Sequence, residues 1–108
     1  MVGLDFGATY SGFAYCHVAG FIETNELWHR GVSSLKTNTI LQYDGYNVKS
    51  WGSPALVSGG NKPVELFKLH LSDLPDNFKP KLSVDYKKAI TDYFIEIGKV
   101  RVQNIINL

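Results

Sequence analysis

The chain predicts an α/β domain built on a mixed sheet, and three stretches carry that expectation: a strand-turn-strand run over residues 2–18, a second hairpin around Asp44-Gly45, and an amphipathic helix from about Ser83. The first hairpin opens the sheet, and the helix packs on one of its faces. At 108 residues the chain has room for one small domain, since a chain of this size buries roughly two-thirds of the surface it exposes unfolded.

Residues 1–6 are an apolar strand-like run with one carboxylate, Asp5. Gly7-Ala8-Thr9-Tyr10 supplies the turn, and residues 11–18 resume as a strand. Period-two alternation sets Phe13, Tyr15 and His17 on one face and Gly12, Ala14, Cys16 and Val18 on the other. Both faces are mostly apolar, so this strand is expected at the centre of the sheet. Residues 21–31 have room for a third strand and a loop. Residues 39–43 and 47–51 then form the second hairpin.

From Gly52 to Pro63 the composition shifts to Gly, Ser, Asn and Pro, which predicts a short helix near Ser53-Pro54 running into a loop. Residues 64–71 fit two periods: Val64, Phe67 and Leu71 suit a helix, whereas Phe67, Leu69 and Leu71 suit a strand. Pro75 and Pro80 break residues 72–80 into loop. Ser83 is then the expected N-cap of a helix whose apolar residues Tyr86, Ile90, Tyr93, Ile97 and Val100 recur at spacings of four and three. Gly98 either weakens or ends it, and residues 100–108 continue it or start a strand.

Composition excludes several classes of function. Eleven basic against ten acidic side chains leave no field to draw the chain to nucleic acid or an anionic membrane. Residues 6–22 carry no charge, yet Gly7, Thr9, Ser11, Gly12, His17 and Gly20 make them too polar to span a bilayer. The N-terminus lacks a basic region before its apolar run, so it does not read as a signal peptide. The single Cys16 has no internal disulfide partner, which fits a reducing, cytoplasmic setting.

The chemistry concentrates in the first turn. A polyphosphate needs several backbone N–H donors converging on it without bulk in the way, and a Gly-rich turn between two strands provides them. Gly7 and Gly12 bracket such a turn, Thr9 and Tyr10 add hydroxyl and amide donors, and Asp5 is placed to hold a hydrated magnesium ion. An ordinary tight hairpin with an acid at its mouth fits the same residues.

Val2-Gly3-Leu4-Asp5-Phe6-Gly7-Ala8-Thr9-Tyr10-Ser11-Gly12 resembles the first phosphate motif of the heat-shock protein 70 family, within the actin-like ATPases of ribonuclease H-like fold. Trp51-Gly52-Ser53-Pro54-Ala55 is similar to that family's Gly-led lead-in to a helix after the second hairpin, and Glu65-Leu66-Phe67-Lys68-Leu69 to the stretch bearing its catalytic lysine. The likeness covers nearly the whole chain and is closest to the divergent heat-shock-70-like proteins.

The resemblance implies that residues 1–108 are a partial nucleotide-binding domain, the N-terminal lobe of such an ATPase, with ATP or ADP and magnesium as ligands. Asp5 would stand near the magnesium and its waters; Gly7, Ala8, Thr9 and Tyr10 would wrap the β- and γ-phosphates, and Lys68 would assist attack on the γ-phosphate. Ala8 departs from the family's usual threonine and loses one hydroxyl while keeping its amide. The family's second lobe, adenosine contacts and further carboxylates lie beyond these residues, which implies weak nucleotide binding and no turnover by this chain alone. Unfolded clients or co-chaperones would be met through the absent regions.

Two other readings stay open: a truncated or degenerate paralogue acting as a protein-interaction module, and a sugar or acetate kinase sharing the strand, acid, Gly-rich turn and strand. Tyr10-Ser11 and Phe67-Lys68 favour the heat-shock branch. His17, His29 and His70 are too dispersed to suggest a metal site. Lys79, Lys81, Lys87, Lys88, Lys99 and Arg101 bias the C-terminal third toward positive charge, but Asp85, Asp92 and Glu96 lie among them, which predicts a solvated face laced with ion pairs. Trp28 and Trp51 are expected in the core.

Overall fold

The computed structural model describes residues 2–16, 22–24, 36–57 and 62–106. The expectations for His17, Val18, Trp28 and His29, and for the loop after the third strand, lie outside the described residues, as does the side chain of Cys16.

Strands β1 (Val2–Phe6) and β2 (Tyr10–Cys16) form the opening hairpin, with Leu4 opposite Phe13 and Asp5 opposite Gly12. Strands β3 (Ile22–Thr24) and β4 (Thr37–Asn38) both pair with β2, so β2 is central as its two apolar faces predict. A second sheet runs in the order β6 (Asn47–Trp51), β5 (Ile40–Asp44), β7 (Val64–Glu65). The one long helix, α1 (Tyr86–Ile106), follows the last strand. The structure is thus an α/β domain of two sheets and a C-terminal helix.

The expected mixed sheet is corrected: every strand pairing among the described residues is antiparallel. Parallel neighbours need a long crossover, usually a helix, and among the described residues the only α-helix comes after the last strand. The N-cap is also corrected. The Asp85 carbonyl accepts the first intrahelical bond, from the Ala89 amide at 3.1 Å, so Asp85 rather than Ser83 holds the cap position. The helix passes through Gly98 because Ile97 and Val100 on either side are buried, which outweighs a glycine cost of about 1 kcal/mol.

The helix lays Ala89, Tyr93, Ile97 and Val100 on a core that also holds Phe13, Leu41, Tyr43, Trp51, Val64 and Phe67. Tyr93 is its centre, with Trp51 edge-on at 5.8 Å and Phe67 at 5.9 Å. Of the helix ion pairs, Lys88–Asp92 borders the core, where the Tyr43 hydroxyl donates to Asp92 at 2.7 Å, and Lys99–Glu96 sets its lysine in solvent. Residues 64–71 follow neither expected period throughout: Val64–Glu65 form β7, and Phe67–Leu71, where the strand reading lay, form a 3-10 turn. Leu66 between them has φ 57°, a left-handed conformation that breaks either periodicity. The expected short helix is a 3-10 turn over Ser53–Leu56.

Candidate functional site

The turn joining β1 to β2 closes with the Gly7 amide donating to the Tyr10 carbonyl at 3.0 Å. Only glycine fits at its first position, because a Cβ on Gly7 would lie 2.3 Å from the Tyr10 carbonyl oxygen. Thr9 and Tyr10 are exposed and Ala8 is half-buried. Among the described residues no hydrogen bond engages the amides of Ala8 and Thr9. The tip of the turn therefore presents main-chain donors without bulk in front of them, which suits an anion.

Alternation along β1 sends Phe6 toward α1 and Asp5 to the opposite face. Phe6 is held there by Phe94, edge-on at 4.9 Å, and by Tyr93 and Phe67. The Asp5 face holds a shallow depression of about 320 Å³, lined by Gly3, Asp5, Gly12, Ala14 and Lys36 among others. Glycine and alanine make its floor, so the face that alternation reads as apolar is open ground beside the turn.

Lys68 reaches the site from the 3-10 turn that follows β7. Its ammonium donates to the Phe6 carbonyl at 2.6 Å, across 62 positions of sequence, and lies 5.5 Å from the Phe6 ring centre. The structure thus brings Asp5, the turn of Gly7, Ala8, Thr9 and Tyr10, and Lys68 to one end of the hairpin. Lys68 stands at the main-chain edge of β1 while Asp5 stands on its outer face.

Sequence reasoning missed Lys36, whose ammonium forms an ion pair with the Asp5 carboxylate at 2.7 Å. The hydrogen bond and charge of Lys36 hold the Asp5 carboxyl below its usual pKa, with a further contribution from the Lys68 charge. One carboxylate between two ammonium groups leaves the site net positive. That balance favours an anionic ligand. Reasoning also missed Thr39, fully buried behind the turn and bonded at 2.6 Å to the equally buried Ser11 of the motif. No motif marks Thr39, because it acts through the backbone of a segment 32 residues away.

The donor set fits a phosphate group. For magnesium the fit rests on Asp5 alone, since no group of three or more His, Cys, Asp or Glu side chains converges among the described residues. That suits only the mode in which magnesium keeps several waters and leans on phosphate oxygens. Among the described residues no helix is long and apolar enough to cross a membrane. No family model matches the chain, and comparison with curated proteins and with solved structures finds no match.

Proposed function

We propose that residues 5–12 form a phosphate-gripping turn of the heat-shock-70 and actin-like ATPase kind, and that the chain takes the polyphosphate of ATP or ADP at the outer end of the β1–β2 hairpin. The observation that supports this most is the arrival of the Lys68 ammonium at the Phe6 carbonyl, one residue before the turn. A lysine from a distant segment, two unengaged amides and exposed Thr9 and Tyr10 hydroxyls converge where a terminal phosphate needs donors.

In this reading the amides of Ala8 and Thr9 take phosphate oxygens, Lys68 neutralises their charge, and Gly7 lets the turn close against the Tyr10 carbonyl. Asp5 would be the residue to hold magnesium through water, with Lys36 free to pair with a phosphate instead, and the ion would supply charge neutralisation there. The reading extends to binding. Hydrolysis needs a positioned water and further acidic groups, and Asp5 is already engaged.

Calorimetric titration with magnesium ATP tests the proposal on the wild-type chain, Asp5→Ala and Lys68→Met. Binding that weakens in both variants supports it; no binding by a folded wild-type chain refutes it. One observation favours the interaction-module reading in that event. Leu4 and Phe94 are exposed around an apolar groove between β1 and α1 lined by Val2, Phe13 and Ile97.

A further inference from the structure

Thr39 sits between β4 and β5 and is 1% exposed. It ties the turn at two points: its amide donates to the Thr9 carbonyl at 2.8 Å, and its hydroxyl donates to the Gly7 carbonyl at 2.8 Å. A hydroxyl has one proton to give. In the 2.6 Å contact between Ser11 and Thr39, Ser11 is therefore the donor, and the chain of bonds runs Ser11 to Thr39 to Gly7. Tyr93 closes the group from α1, its hydroxyl donating to the neighbouring Asn38 carbonyl at 3.0 Å.

The peptide unit joining Gly7 to Ala8 is planar and trans, so its carbonyl and its N–H point to opposite sides. Holding the Gly7 carbonyl toward buried Thr39 turns the Ala8 amide away from the core. We propose that Thr39 is the positioning residue of the phosphate turn, aiming the Ala8 main-chain donor at the ligand. The inference rests on the phosphate reading and deepens it: the donor at position 8 is the backbone, so an alanine serves there without a hydroxyl.

The test follows the Ala8 amide signal by nitrogen-15 NMR in wild type, Thr39→Ser and Thr39→Val, and titrates each with magnesium ATP and with inorganic triphosphate. Thr39→Ser keeps the hydroxyl and is expected to retain the Ala8 signal and the wild-type affinity. Thr39→Val keeps the shape without the hydroxyl. It is expected to move the Ala8 signal and to weaken binding about tenfold, the worth of one oriented hydrogen bond.

A folded Thr39→Val chain with the wild-type Ala8 signal overturns the inference, as does a Thr39→Ser chain that behaves like valine. Should the valine variant not fold, Thr39→Cys replaces it. An intermediate displacement of Ala8 then supports the inference and none overturns it. If the wild-type chain responds to neither ligand while Thr39→Val displaces Ala8, the phosphate reading falls and the positioning of the turn by Thr39 stands.

Discussion

Replacing Lys68 by methionine separates a structural lysine from a functional one. The ammonium makes a 2.6 Å bond to the Phe6 carbonyl, and hydrogen bonds to charged groups contribute about 1.5–3 kcal/mol. Lys68 is half-exposed, so water competes and the lower end applies. Methionine keeps the stem, and its sulfur against the Phe6 ring offsets the lost cation–π contact, both being terms of about 0.5–1 kcal/mol. The net cost is therefore about 1.5 kcal/mol, a fall in Tm of about 6 °C for a domain of this size.

Binding should respond more strongly. An ammonium facing a phosphate oxygen in a site bordered by protein contributes about 1.5–3 kcal/mol after desolvation, so magnesium ATP should bind about tenfold to a hundredfold more weakly to Lys68→Met. Thermal denaturation followed by circular dichroism gives the first number and calorimetry the second. A loss of Tm with unchanged affinity would reduce Lys68 to a clamp on the edge of β1. An unchanged Tm would show that the bond to Phe6 does not persist in solution.

Gly52→Ala should cost at least about 2 kcal/mol in urea denaturation, because φ 68° and ψ −156° lie in a region open essentially to glycine and the new Cβ would stand 2.7 Å from the Thr37 hydroxyl; a cost under about 0.5 kcal/mol would refute this. For Asp92, burial raises the carboxyl pKa, but the bonds from Lys88 at 2.8 Å and Tyr43 at 2.7 Å outweigh it and the net shift is downward. The unfolded chain then takes the proton more readily, so this stabilisation is present above the unfolded pKa of about 3.9 and is lost as pH falls through the folded value. Urea midpoints should drop below about pH 4 in wild type and drop less in Asp92→Asn. Burial pushes the Tyr93 phenol up to about 12, so its stabilisation is full below the unfolded value of about 10 and is lost as pH rises through the folded one. Tyr93→Phe should flatten that alkaline loss, and an equally steep profile would place its origin elsewhere.

The elements with local signals were legible. Asp44-Gly45 between apolar runs specifies its hairpin through turn chemistry, and the recurrence of Tyr93, Ile97 and Val100 specifies the buried stripe of α1, to which the structure adds Ala89. The mixed sheet failed because strand direction depends on connections, and nothing in residues 2–57 supplies a crossover helix among the described residues. Residues 64–71 were ambiguous for a physical reason: Leu66 takes a left-handed conformation that belongs to neither period. At the candidate site, resemblance singled out Asp5, the turn and Lys68, and the structure brings them to one end of the hairpin. Lys36 and Thr39 were not legible, since an ion pair across 31 positions and a hydroxyl bonded to a distant carbonyl leave no pattern in the sequence.

The two lysines and the threonine divide the work at the hairpin end. Phe6 and Gly7 are consecutive residues, and both of their carbonyls accept from side chains far away in sequence, Lys68 on the edge of β1 and Thr39 from the core. The core clamp is neutral, buried and backed by Ser11, so no ligand competes for it. The edge clamp and the Lys36–Asp5 pair are charged and accessible, so under the proposed reading a phosphate would compete for both ammonium groups. A turn held by a neutral bond behind and cationic bonds in front can exchange its front partners for ligand oxygens while its amides keep their aim. On the proposed reading the turn would then meet its anion without rearranging its backbone, which is the condition under which a short main-chain turn binds phosphate usefully.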